Sequence, residues 1–181
     1  MKRIVLSCVF VAVVLFLVAG CSTAPKSAEG RAKLNTKVQN AHDSALRADP
    51  GLKKFFDEAA GYAVFPTVGK GAIGVGGAYG KGELYESGQL KGYCTLTQAS
   101  IGLALGGQAY TELIFFETQA ALDRFKTGNF AFAAQASAVA LKSGASANAK
   151  YTDGVAVFTM GEAGLMYEAS IGGQKFSYKP K

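Results

Sequence analysis

The sequence predicts an α+β domain: N-terminal helices packed on a strongly curved, glycine-rich antiparallel β-sheet or barrel. Three observations predict it. Helical period is confined to the stretch before residue 61. Beyond it apolar residues recur at period two, with glycine dense between 69 and 92. Roughly six to nine strand-like runs then follow with one helical interruption.

Residues 22–30 are small and polar, with Pro25, and read as a tether. From Arg31, the residues Leu34, Val38, Ala41 and Ala45 recur at helical spacing and form one apolar stripe. Asp49-Pro50 reads as an N-cap followed by proline at the first helical position. Leu52, Phe55, Phe56 and Ala59 give a second helix its apolar face, and Gly61 reads as its C-terminal stop.

Residues 62–68 form a short apolar run. The segment Ile73-Gly-Val-Gly-Gly-Ala-Tyr79 reads as a strand with Ile73, Val75 and Tyr79 on one face and small residues on the other. The segment from Ile101 to Tyr110 looks like a second copy, with Leu103 and Leu105 on its bulky side. A nearly bare face lets a helix or another backbone approach closely. Residues 109–117 predict a strong strand. Residues 118–126 predict a short helix with Ala121, Leu122 and Phe125 facing in and Gly128 ending it. Residues 130–141 fit helix by propensity and strand by alternation. Residues 142–149 read as a loop, and 155–159, 165–171 and 174–178 close the domain as strands.

The start of the chain carries an address. Lys2 and Arg3 precede a largely apolar run and then Leu17-Val18-Ala19-Gly20-Cys21. This pattern resembles the lipobox of bacterial lipoproteins, in which the cysteine sulfur takes the lipid and the chain is cut before it. The expected division is a signal peptide over 1–20, a lipidated tether over 21–30 and a single domain over 31–181. Ser22 after Cys21 points, by the same resemblance, to a bacterial outer membrane. The chain would then be periplasmic or surface-facing. Losing Lys2 and Arg3, with no acid, lowers the formal charge from +6 to +4. That mild excess suits an anionic membrane and is too small to argue nucleic acid. Cys8 leaves with the signal and Cys21 carries lipid. Cys94 remains alone and reads as a small buried hydrophobe.

Motifs that carry chemistry are few. Gly69-Lys-Gly71-Ala-Ile-Gly74 matches a dinucleotide fingerprint in spacing, but strand pattern follows it where a helix is needed. Lys70 lacks the glycine and the Ser or Thr of a phosphate-binding P-loop. His42 is the only histidine and sits on a polar helix side. Glu83 with Glu86, and Glu112 with Glu117, read as solvated strand ends. No catalytic constellation is visible, so an enzyme is not expected, and no cofactor or metal is implied. The basic residues remain. Lys33, Lys37, Arg47, Lys53 and Lys54 fall on the helices, while Lys70, Lys81 and Lys91 fall in the glycine-rich turns. Lys33, Lys37, Lys53, Lys54 and Lys70 are the candidate lipid-binding residues, each adding about 1 kcal/mol at an anionic surface.

The block Gly61-Tyr-Ala-Val-Phe-Pro-Thr-Val-Gly-Lys-Gly71, followed by residues 73–82, resembles the SYLF domain family. Ser100-Ile-Gly-Leu-Ala-Leu-Gly-Gly-Gln108, Glu112-Leu-Ile-Phe-Phe-Glu-Thr118, residues 122–128 and Gly164-Leu-Met-Tyr-Glu-Ala-Ser-Ile171 follow in the family's order. The resemblance spans about residues 31–178. It implies phospholipid binding through a basic surface, and it tilts residues 130–141 toward strand. Two features depart from the eukaryotic members: a tether replaces their membrane-inserting N-terminus, and Met160-Gly-Glu162 stands where a basic loop is common. The actin that some of them bind has no counterpart in a periplasm. The competing expectation is a structural or protein-interaction module of the cell envelope. Oligomeric state is left open by the sequence.

Overall fold

The computed structural model describes residues 23–73, 75–101, 106–128, 138–161 and 173–181. The lipobox with Cys21, the stretch 129–137, and the strand expected at 165–171 lie outside the described residues.

Helix α1 spans Ala28–Ala48, and Ser27 caps it by accepting from the Gly30 N–H at 3.0 Å. It therefore begins three residues before the apolar period does, and residues 28–30 belong to the helix rather than to the tether. Its buried residues are the expected stripe, Leu34, Val38, Ala41 and Ala45. The larger of these contribute roughly 1.5–3 kcal/mol each by burial.

Helix α2 spans Leu52–Glu58 and buries Leu52 and Phe55. Asp49 is not its N-cap: Gly51 holds that position, and Asp49 follows the last turn of α1. The Asp49 carboxylate instead accepts from Gly51 N at 3.0 Å and from Ser146 N at 2.6 Å. Ser146 belongs to a 3₁₀ turn, Ala145–Asn148. Two backbone donors from separate segments satisfy a buried carboxylate better than one helix end.

Gly61 opens strand β1 (Gly61–Ile73) rather than closing a helix. A β-carbon there would lie 2.8 Å from the Tyr85 carbonyl oxygen and 2.9 Å from Leu122 Cδ2. Strands β2 (Val75–Glu86), β3 (Gln89–Ile101) and β4 (Gly106–Phe116) follow, then helix α3 (Gln119–Lys126). Thr118 caps α3, and Ala121, Leu122 and Phe125 are buried as expected. Strands β5 (Val139–Ala140), β6 (Val155–Gly161) and β7 (Gln174–Pro180) complete one sheet of order β5-β6-β4-β1-β2-β3-β7. All pairings are antiparallel except β5 with β6.

The segment 73–79 is not one strand. The chain reverses there, and Ile73 pairs with Val75, Gly71 with Gly77 and Lys70 with Ala78. The look-alike segment 101–110 likewise runs from the end of β3 at Ile101 to the start of β4 at Gly106. The two tips are neighbours, since Val75 pairs with Ile101 and Ala72 with Gly106. The sequence repeat is thus a repeat of strand connections at one end of the sheet. At Gly82 the close approach is made by another backbone. A β-carbon on Gly82 would sit 2.5 Å from the Val64 carbonyl oxygen and 2.8 Å from Phe65 Cδ1, both on the adjacent strand.

Proline at position 66 falls within the central strand β1, where a ladder donor is missing. The register shifts between Val64 and Thr67 absorb it as a bulge, and the Thr111 hydroxyl donates to the Pro66 carbonyl at 2.9 Å.

The sheet is curled but not closed; β5 and β7 are its edges among the described residues. That removes the barrel alternative. Curvature is nevertheless strong. Gln174 on β7 donates to Glu112 on β4 at 2.9 Å, although β1, β2 and β3 lie between them in the sheet. Helix α3 fills the roll, with Phe125 ring centroids 4.8 Å from Phe116 and 5.3 Å from Phe176. The inner face carries Phe65, Leu96, Tyr110 and Phe116. The outer face, with Val64, Leu113, Phe115 and Phe158, is covered by α1 and α2.

Candidate functional site

Two adjoining grooves lie at the N-terminal end of α1. The first, of about 550 Å³, is lined by Ala24, Pro25, Lys26, Arg31, Tyr93, Lys179, Pro180 and Lys181. The second, of about 380 Å³, is lined by Pro25, Gly30, Lys33, Leu34, Lys37, Pro66, Thr67 and Lys81. Pro25 is common to both. Each element supplies its cations for a local reason. Lys33 and Lys37 are one turn apart on α1, so they share a face. Lys81 comes from β2, beside the bulge at Pro66. Lys179 arrives on β7 and Lys181 follows it, with Lys181 N donating to the Lys91 carbonyl at 3.0 Å. Arg31 donates to the Pro25 carbonyl at 3.3 Å and folds the incoming chain against the helix start.

Seven cations therefore border the pair, and among the described residues no Asp or Glu lines either groove. Glu29 is the nearby counter-charge, 2.7 Å from Lys33, but both side chains are largely exposed and the pair is weak. The floor of the second groove is apolar, made by Leu34, Pro25 and Pro66, with lysine stems along its sides. The arrangement suits an anionic group attached to apolar substance.

The sequence-predicted lysines divide into three places. Lys33 and Lys37 come together here. Lys53 and Lys54 lie on α2, paired with Asp57 at 2.6 Å and Glu58 at 4.0 Å. Lys54 borders a separate groove of about 790 Å³, whose lining includes Asp49, Phe55, Glu58, Glu117 and Tyr151. That groove adjoins the other end of α1, roughly 30 Å away at 1.5 Å per residue. Lys70 is half-buried on the inner face, in register with Ala78. Lys26, Arg31, Lys179 and Lys181 were not among the candidates, and Lys81 was named only as a basic residue of the glycine-rich turns.

The acids also differ from expectation. Glu83 and Glu112 are fully buried, not solvated strand ends. Glu83 accepts from Asn35 at 3.0 Å and from the Tyr85 hydroxyl at 2.6 Å, which ties α1 to β2. Burial, with Glu83 beside it, holds the Tyr85 hydroxyl well above its usual range. Glu86 pairs with Lys126 on α3 at 2.6 Å. Cys94 is buried, as expected, and burial raises its thiol far above the reactive range. His42 packs edge-on to Phe56 with ring centroids 4.4 Å apart. Among the described residues no three His, Cys, Asp or Glu side chains gather as a metal site. Nor, among them, is any helix long and apolar enough to cross a membrane.

The molecule is an α+β domain: a curled, open antiparallel sheet with helices over its outer face and a basic rim at one helix end. Residues 97–180 match the family described as Ysc84, Las17-binding protein actin regulator. Over 162 residues the chain is 33% identical to Beta cell expansion factor A of Aeromonas veronii. That alignment covers 84% of this chain and 59% of the relative, so the chain spans less than two thirds of the relative's length. Both similarities support a bacterial SYLF-domain family for the chain.

Proposed function

We propose that this protein is a membrane-anchored lipoprotein of the bacterial outer membrane whose SYLF domain binds anionic phospholipid at the basic rim. One observation carries the reading: seven cations from α1, β2, β7 and the entering chain border two adjoining grooves with an apolar floor. At about 1 kcal/mol each near an anionic surface, even part of this set gives appreciable attraction. The position of the rim supports the same reading. Pro25 lies four residues after Cys21, so an acylated Cys21 holds the rim within about 14 Å of the bilayer. Lipid on Cys21 then supplies attachment, and the rim supplies recognition of the same membrane.

The test is sedimentation of residues 22–181 with neutral or anionic vesicles across a salt series. Salt-sensitive binding to anionic vesicles alone is expected. Absence of binding to any vesicle would sink the lipid reading. It would leave the groove at Phe55, Glu58, Glu117 and Tyr151, with its aromatic and acidic lining, as the surface for an envelope protein partner.

A further inference from the structure

The interior of the roll holds a polar contact that the basic rim does not use. Glu112 and Gln174 are both 0% exposed. The Gln174 amide nitrogen donates to Glu112 Oε2 at 2.9 Å and, more weakly, to the Tyr110 hydroxyl at 3.5 Å. The second oxygen of each group, Glu112 Oε1 and Gln174 Oε1, is buried without a hydrogen-bond partner among the described residues. Both are acceptors if the carboxyl is ionised, and two orphaned acceptors in an apolar core are costly. A single hydrogen on Oε1 removes the conflict. The acid then donates to Gln174 Oε1 while accepting from its amide, which closes a two-bond pair.

We propose that Glu112 stays protonated in the folded domain up to near-neutral pH, and that its proton is the clasp holding β7 across the roll against β4. The surroundings fit a neutral carboxyl. Among the described residues no cation is paired with it. Of the groups turned toward this interior, Tyr110 adjoins Glu112, and Lys70 lies on the inner face of β1 farther toward the strand tips. Cys94, Tyr178 and the Lys126–Glu86 ion pair lie on β3, β7, α3 and β2. Burial pushes the Glu112 carboxyl up to about 7, against the lowering effect of hydrogen bonds from Gln174 and Tyr110. A carboxyl raised in the fold favours the folded state below its ordinary range. That contribution fades as pH rises from about 4.5 to 7. The clasp is thus closed in acid and released in base. Its release acts on the strand whose other end, Lys179 to Lys181, forms a wall of the larger basic groove.

The clasp is independent of what the rim binds, so the test needs no lipid. Carbon-13 NMR of the glutamate carboxyls in the whole protein in detergent follows Glu112 directly. Amide exchange of residues 174–181, corrected for base catalysis, follows β7. The expected result is a Glu112 midpoint near neutrality and roughly a hundredfold loss of β7 protection between pH 5 and 8.5. In Glu112→Gln, whose amide donates from the same position, that pH dependence disappears. A Glu112 midpoint in the ordinary carboxylate range overturns the proposal, as does an unchanged pH dependence in Glu112→Gln. Should that variant fail to fold, the carboxyl titration of the native protein decides alone.

Discussion

Replacing Asp49 by alanine unties the end of α1, the start of α2 and the 145–148 turn together. The residue is 2% exposed, and its two carboxylate oxygens take the Gly51 and Ser146 N–H groups at 3.0 and 2.6 Å. Hydrogen bonds to a charged acceptor are worth about 1.5–3 kcal/mol each, and an orphaned buried N–H adds to the loss. Allowing for water reaching the Gly51 side, the expected cost is about 3 kcal/mol. Near 150 residues that corresponds to a melting temperature lower by about 6–12 °C. Urea unfolding followed by circular dichroism measures it, with an unchanged slope required for the comparison. Despite burial, these hydrogen bonds hold the Asp49 carboxyl below its ordinary value. Its contribution is therefore complete above about pH 4 and fades as pH falls further, so the gap to Asp49→Ala narrows only in strong acid. A loss under about 1 kcal/mol at pH 7 would refute the idea that this carboxylate organises the junction.

Three further outcomes are expected. Gly82→Ala drives a β-carbon into the Val64 carbonyl and the Phe65 ring and costs at least about 2 kcal/mol in thermal unfolding. Gly69→Ala, with nothing within 4 Å of the added carbon, stays within about 0.5 kcal/mol of wild type and is the control. Changing Lys33, Lys37 and Lys81 together to alanine weakens partition onto anionic vesicles by about 3 kcal/mol, roughly 150-fold at low salt. The Lys53 and Lys54 pair has a much smaller effect, because both lie on α2, beside the far end of α1 from the rim. Cys94 resists thiol reagents in the folded protein and reacts at the rate of global unfolding, as mass spectrometry against urea would show.

The elements with uninterrupted periodicity were legible. The α1 stripe, the three buried residues of α3, and the strands from 106, 155 and 174 all follow from spacing. The reversal at 74 was not, because glycine at every second place continues the strand pattern through it. No Asn-Gly or Asp-Gly marked the turn. Asp49-Pro50 misled because its partner Ser146 lies 97 residues away. Burial of Glu83 and Glu112 was hidden for the same reason. Their partners Asn35 and Gln174 are 48 and 62 residues distant, and a carboxylate read alone belongs in water. In the candidate site, Lys33 and Lys37 were legible as one turn of helix. Lys81, Lys179 and Lys181 join them only once the sheet has curled.

The pairing of β7 with β3 has a consequence for biogenesis. Thr97 and Lys175 meet across 78 residues of chain, far more than the local hairpins β1–β2 and β2–β3 must close. Long-range closure of this kind is slow, so the hairpins form first and the roll waits for β7. Until β7 arrives, Phe65 and Phe125 lack the ring of Phe176 that packs on both. An unfinished or truncated chain would thus display an aromatic surface that the finished one conceals. Capture of β7 thus hides what a chaperone or protease that samples exposed apolar surface would otherwise find.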